Sequence, residues 1–218
     1  MTSAPSAEPL VGAHVRLDPL SLDNADGLLP SFGDARAYDQ GFVMHACPRT
    51  VDEMRELLRS SYLPTRSPGH TPFAVRLVTD TDLGAPGTIV GTTAIHDVSL
   101  GNESAHIGST FYGPRWWGTV VNAEAKRLLL THLFEDCGFG RVKLQTDALN
   151  TRSQAAIERL GAVREGVLRR HKRRADGSFR DTVVFSILAD EWPTARAALD
   201  HRIERDAASS ATGAAPQR

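Results

Sequence analysis

The stretch 113–136, GPRWWGTVVNAEAKRLLLTHLFED, carries the strongest chemical signal in the chain. Gly113 and Pro114 break what precedes them. Two tryptophans and Gly118 follow, and a helix-patterned run begins. The first turn of a helix leaves backbone N–H groups without internal partners, at the positive end of the helix dipole, so such a turn suits a phosphate. No side-chain nucleophile stands beside it, which points to holding a phosphorylated group rather than cutting one. The chain has no GxxxxGK[ST] and no GxGxxG after a strand, which argues against a P-loop and a dinucleotide fold. In the helix, Glu124, Arg127, Thr131 and Glu135 form a polar stripe, and Val121, Ala125, Leu128, Leu129 and Leu133 form a broad apolar face.

The elements that must position this turn read off in order. His14–Asp18 alternates like a half-buried strand. Leu22–Leu29 is a short helix capped by Ser21. Asp34–Pro48, with Tyr38, Phe42, Met44 and His45, has no clear period. Thr50–Tyr62 is a helix opened by the capping box Thr50/Glu53, and Pro64–Pro72 is a loop. Phe73–Thr79, Thr88–Val98 and Ser104–Tyr112 are consecutive antiparallel strands, with turns at Gly84–Gly87 and Gly101-Asn102. After the long helix come a strand at Arg141–Asp147, a helix at Asn150–Leu160 and a strand at Ala162–Arg170. A turn at Asp176-Gly177, a strand at Thr182–Leu188 and a closing helix over Asp190–Ile203 complete the order. That is a mixed α/β sheet with helices packed on it.

The 218 residues suffice for one sizeable domain, here residues 10–204, between loose tails at 1–9 and 205–218. Hydrophobic residues make up 41% and charged residues 23%, as in an ordinary globular protein. A net charge of -1 provides no field to recruit nucleic acid or membrane. The N-terminus lacks signal-peptide character, and no apolar run approaches the ~20 residues of a membrane span, so the expected compartment is the cytoplasm. Cys47 and Cys137 have neither metal-ligand spacing nor the density of a disulfide scaffold, and no histidine partner is identifiable from sequence. They read as structural thiols.

Three stretches give the chain a family resemblance. They are IGSTFYGPRWWGTVVNAEAKRLLLTHLFE, then LQTDALNTRSQAAIERLGAVREG, then DGSFRDTVVFSILADEW. With the element order, they resemble the GNAT family of acetyl-CoA-dependent N-acetyltransferases over roughly His14–Trp192, closest to the branch that acetylates ribosomal-protein N-termini at alanine or serine. The resemblance implies a mostly antiparallel sheet, splayed at a bulge in Ser104–Tyr112, with helices on both faces. It implies acetyl-CoA as cosubstrate, no metal, and a homodimer. The family's pyrophosphate loop, Q/R-x-x-G-x-G/A, is matched imperfectly in two frames, one from Arg115 with Gly118 as first glycine and Val120 last, the other from Trp117 with Val120 in the first glycine position and Asn122 last, and in either a branched Val120 crowds the phosphate. It assigns coenzyme binding to Arg115, to the backbone of Gly118, Thr119, Val120, Val121, Asn122 and Ala123, and to Ile107 and Ser109 on the splayed strand.

Asn150 and Ser153 match the family's N-x-x-S, which implies a pantetheine contact for Asn150 and a place near the coenzyme thiol for Ser153. From the residues alone Asn150 is a helix cap. Arg152 reads as a phosphate contact or a solvated charge. Acetyl transfer to an amine needs a base and a backbone N–H on the carbonyl oxygen, here from Ile107–Thr110. Candidate bases are His106, where many relatives carry glutamate, His96 and His171, with Glu103 a weaker one. The family's general-acid tyrosine is Ile157 here, which leaves Ser153 to protonate the thiolate. The acceptor is a protein N-terminus or a small-molecule amine. A non-catalytic acyl-CoA-binding or scaffold protein is the alternative. Arg169–Arg174, RRHKRR, reads as a solvated hairpin in preference to an acidic-partner surface, and Trp116 and Trp117 as packing residues.

Overall fold

Runs of valine, isoleucine, threonine and phenylalanine bounded by glycine turns set the strands. In a computed structural model they are β1 (Leu10–Val11), β2 (Val15–Pro19), β3 (Thr71–Leu77), β4 (Ile89–Ser99), β5 (Ser104–Tyr112), β6 (Arg141–Asp147), β7 (Val163–Arg173) and β8 (Phe179–Leu188). The helices are α1 (Ala25–Phe32), α2 (Val51–Leu57), α3 (Val120–Thr131), α4 (Thr151–Glu158) and α5 (Trp192–Ala211). The structure describes residues 1–39, 43–63, 69–174 and 177–211. Phe42, residues 64–68 of the expected loop, Asp176 of the expected turn and residues 212–218 of the expected tail lie outside the described residues.

One sheet runs in the order β1-β2-β3-β4-β5-β6-β8-β7. Its pairs are antiparallel except β5 with β6, the crossover made by α3. Successive strand residues face opposite ways. On β3, Ala74 joins Leu28, Phe32 and Met54 of α1 and α2, whereas Phe73 and Val75 join Val121, Leu129 and Leu199 of α3 and α5. Helices therefore cover both faces of an α/β sheet, as expected.

The parallel pairing of β5 with β6 is short. It runs from Ser104↔Arg141 to Ile107↔Leu144 and stops, although both strands continue. Between β4 and β5 the register shifts between Thr92 and Ala94, so that Ser109 and Thr110 stand opposite Thr93 alone. That is a bulge, and Ser109 takes a left-handed φ of 47° within it. The sheet thus opens beyond Ile107.

The caps expected from sequence are present. Ser21 opens a 3-10 turn that leads into α1, and the Thr50 and Asn150 side chains accept from the N–H of Glu53 and Ser153. Two details differ. The Glu53 carboxylate accepts from Arg49 N–H, one residue before its capping-box target. The closing helix runs past Ile203 to Ala211, with Arg202 and Asp206 paired one turn apart at 3.2 Å, so residues 205–211 extend it and form no tail there. At the other end, Ser3 N–H donates to the Cys137 carbonyl at 2.9 Å.

The polar stripe on α3 needs one correction. Glu124 is 4% exposed. Its carboxylate accepts from the N–H groups of Ala13, His14 and Val15 at 2.9, 2.7 and 2.6 Å. Three charge-assisted bonds replace its water and tie α3 to the β1–β2 turn. Glu124→Ala should destabilise the fold by about 3 kcal/mol through the N–H groups it orphans. In thermal unfolding, that is a fall of roughly 6–12 °C in Tm for a chain of this size. A Tm within two or three degrees of the parent would contradict this account.

Candidate active site

Gly118 sits at φ 75°, and a Cβ built on it would meet nothing within 4 Å. The turn therefore needs glycine for its backbone and presents open space on that side. Thr119 caps α3. Its hydroxyl accepts from Val121 N–H at 3.4 Å and donates to the Trp116 carbonyl at 2.9 Å. The first turn, Val120 to Ala123, brings its outward N–H groups to this opening. The Val120 side chain, expected to crowd a phosphate, is 3% exposed and packed in the core. Its branch turns inward, so the missing second glycine does not fill the turn.

Arg115 is committed elsewhere, donating from Nη2 to the Asp82 carbonyl at 2.6 Å. Arg152 is exposed, and its guanidinium lies 3.3 Å from the centre of the Trp117 ring, while partial burial lowers its pKa. This contact brings the start of α4, with Asn150 and Ser153, against the turn before α3. Trp117 is thus more than packing, while its indole N–H donates to the Tyr112 carbonyl at 2.8 Å. Trp116 is buried and donates to the Leu83 carbonyl, as a packing residue should.

On β5, Ile107 ends the pairing with β6, and the exposed Ser109 hydroxyl lies 3.0 Å from His96 Nε2. His106 stands directly opposite His96, with ring centres 5.4 Å apart. His70 stacks on His96 at 4.6 Å. His106 Nδ1 is 3.3 Å from Asp97 Oδ2, while its buried Nε2 has no hydrogen-bond partner among the described residues. Burial, then Lys143 and His96, hold His106 well below the usual imidazole range against the opposing pull of Asp97. Burial and His70 bring His96 down to about 4. Both rings are therefore neutral at pH 7.

His171 is not brought to this cluster. It lies on edge strand β7, with β6 and β8 between it and β5, and its Nδ1 is 3.0 Å from Thr182 Oγ1. Cys137, in turn, has a histidine beside it after all, with His132 Nε2 3.6 Å from its sulfur and Asp136 on the far ring nitrogen. Burial pushes that thiol up, which keeps it protonated and structural.

Sequence reasoning passed over the aromatic cluster beside the bulge, where Phe32, Tyr38, His45 and Tyr62 gather around Phe111. It also passed over Lys126, which is 5% exposed and donates to Thr93 Oγ1 at 3.1 Å and Thr110 Oγ1 at 2.6 Å. A usable signal existed. Lys126 lies three residues after Ala123 and four before Leu130, both on the buried side of α3.

An imidazole with a native pKa depressed below its unfolded value takes its proton first in the unfolded chain. The His96 contribution to stability is therefore lost as pH falls from about 6.5 toward 4. Ring-proton NMR should find His96 neutral at pH 6, and His96→Gln should flatten the fall of Tm across that window. Titration of His96 at pH 6 or above would contradict the geometry.

The model of the acetyltransferase (GNAT) domain family matches residues 14–163. Over 106 residues the chain is 30% identical to the "Putative ribosomal N-acetyltransferase YdaF" of Bacillus subtilis (strain 168), covering 49% of this chain and 57% of that protein. The chain thus spans little more than half the length of that curated relative. A crystal structure of a GCN5-related N-acetyltransferase from Brucella melitensis matches with a TM-score of 0.81 at 26% identity, over 93% of this chain and 88% of that one. Mycobacterium smegmatis RimJ in complex with CoA-disulfide matches with a TM-score of 0.67 at 23% identity, over 86% and 88% of the two chains, which shows the shared fold. With a family model matched over more than half its length, and with a sheet opened beside a helix-start turn, the chain belongs to the GNAT family of acetyltransferases.

Proposed function

We propose that this chain transfers the acetyl group of acetyl-CoA to a primary amine, a protein N-terminus before a small molecule, in the cytoplasm. The observation that carries the reading is the end of β5–β6 pairing at Ile107↔Leu144, beside a bulge and across from the first turn of α3. Strand backbone beyond that point is left for an extended ligand, and the opening at Gly118 leaves room for phosphates. The residues therefore fit the coenzyme. The chain spans 57% of YdaF, whose name as a ribosomal N-acetyltransferase supports a ribosomal acceptor, and RimJ was solved with a coenzyme A disulfide.

In this reading the first-turn N–H groups of α3 hold the phosphates. Arg152 on Trp117 closes one side of the channel, and Asn150 and Ser153 flank its inner end. Bound acetyl-CoA supplies a thioester whose acyl carbon the amine nitrogen takes directly, the carbon–sulfur electron pair leaving with sulfur. The neutral His96, through Ser109, accepts the proton that the attacking amine sheds, and Ser153 is placed to return one to the sulfur. His106, 7% exposed, supports the position of His96. The aromatic cluster on Phe111 lies on the same sheet face as these histidines and offers an apolar wall to the acceptor. The exposed Val163, Val167 and Leu168 along edge strand β7 favour pairing with a second copy.

Isothermal titration with acetyl-CoA tests the reading. The native chain should bind it with roughly micromolar affinity, and Gly118→Trp, which fills the opening, should lose binding at least tenfold while staying folded. Thiol release should then require an amine, beginning with peptides from ribosomal-protein N-termini. Absence of binding by the native chain would turn the assignment to a scaffold role, and binding without turnover on any amine to an acyl-CoA-binding module.

A further inference from the structure

Lys126 is a buried cation with no carboxylate on it among the described residues. The ammonium is 5% exposed and held by two threonine hydroxyls, Thr93 Oγ1 on β4 and Thr110 Oγ1 on β5. Burial pulls it down to about 7, and no neighbouring charge contributes to the shift. A buried cation left without an anion is costly, and apolar side chains fill the rest of this helix face. Its location is specific. Both hydroxyls belong to the bulge that opens the sheet, and Thr110 lies on the part of β5 that β6 has left.

The hydrogen bonds limit which way the hydroxyl protons go. An ammonium only donates, so Thr93 Oγ1 and Thr110 Oγ1 both accept from Lys126. The two oxygens are 3.0 Å apart, a contact in which either can donate, and Thr110 Oγ1 also donates to the Gly108 carbonyl at a long 3.4 Å. When Thr93 donates to Thr110, that long contact is what a ligand oxygen must displace to take the Thr110 proton, and Thr110 is exposed while Thr93 is not. A hydroxyl that accepts from a buried ammonium is a strengthened donor.

We propose that the Thr110 hydroxyl, polarised and oriented by the Lys126 ammonium, donates a hydrogen bond to the acyl oxygen of the bound thioester, with Thr110 as the catalytic group and Lys126 as its positioning residue. This rests on the acetyl-transfer reading and adds a side-chain donor to the strand backbone. As the amine's nitrogen bonds to the acyl carbon, the oxygen gains negative charge, and the Thr110 bond tightens without a proton changing owner. The positive charge behind Thr110 makes the donor strongest while Lys126 is protonated. Activity on this account therefore falls as pH rises through the Lys126 pKa. The groups facing Lys126 from the neighbouring strands, Thr93 and Thr110, do not titrate, and on its own helix Glu124 is bound to the β1–β2 turn.

The test uses acetonyl-coenzyme A, which keeps the carbonyl but cannot transfer an acyl group, labelled with carbon-13 at that carbonyl. Its resonance should move downfield on binding to the native chain, move clearly less in Thr110→Val, and recover the native shift in Thr110→Ser. In thiol release with an N-terminal peptide, Thr110→Val should lower kcat about a hundredfold with KM for acetyl-CoA within threefold. Lys126→Met should lower kcat similarly and erase the alkaline limb of the kcat profile. It should also raise Tm at pH 6 more than at pH 10, because a lysine with a depressed native pKa costs stability below its unfolded value. A downfield shift in Thr110→Val as large as in the native chain, or a native pH profile in Lys126→Met, would overturn the assignment and leave acetyl transfer standing. Failure of the native chain to bind acetonyl-coenzyme A would instead sink the acetyl-transfer reading, and this donor with it.

Discussion

The carboxylate of Glu124 holds the opened half of the molecule in register. It lies beneath the turn between β1 and β2 and collects three successive backbone N–H groups. The turn closes so tightly that a Cβ at Gly12 would lie 2.7 Å from the carboxylate carbon. An isolated buried anion would be prohibitive, and here the backbone supplies what water would have given. Two residues further on, Lys126 points roughly 200° around the helix and reaches the bulge between β4 and β5. One turn of α3 is thus tied at opposite sides to the first and the middle strands. The start of α3 cannot drift from the strand that opens beside it.

The opening itself is a matter of register. Ser109 and Thr110 share one partner position on β4, and Ser109 takes the left-handed backbone that a serine adopts only at a cost. The extra residue bends β5 away from β6 and turns the strand over. Before the bulge, His106 lies with His96 on the side of α1 and α2. Without the insertion, Thr110 would share that side. With it, Ser109 meets His96 and Thr110 passes through the sheet to meet Lys126. The strain at Ser109 thereby sorts two adjacent hydroxyls onto opposite faces.

The element order was readable because each piece declares itself locally. Strands alternate, turns carry glycine, and Ser21, Thr50 and Asn150 sit where helix N–H groups need acceptors. The buried charges were hidden by the same periodicity that exposed the helix. Glu124 lies four residues after Val120 and four before Leu128, so its position was apolar while its side chain was not, and polarity alone put it in a surface stripe. The place of His171 was hidden for a topological reason. The last two strands enter in reverse, with β8 beside β6 and β7 at the edge, and no local pattern records that exchange. Arg152 on Trp117 joins residues 35 positions apart, a pairing that follows from the crossover and not from either neighbourhood. The site was therefore legible as a helix start with a polar neighbour, and illegible wherever its chemistry depends on which face a bulge selects.

That selection gives the candidate site its polarity. The face toward α1 and α2 carries neutral imidazoles and an aromatic wall around Phe111, groups that accept a proton and tolerate an apolar partner. The face toward α3 carries helix N–H groups, Arg152 and Lys126, all donors. Transfer from an anionic coenzyme to an amine requires this asymmetry, since one reactant brings phosphates and gains negative charge at an oxygen while the other must lose a proton. A flat, fully paired β5 would keep the two faces apart. In the proposed reading the early end of β6 pairing lets an extended ligand pass between them, and the bulge sets Ser109 beside His96 and Thr110 beside Lys126, one residue apart along the strand. The hydrogen bonds that β5 forgoes beyond Ile107 are the structural cost of that passage, and the Glu124 and Lys126 ties are what allow the sheet to carry it.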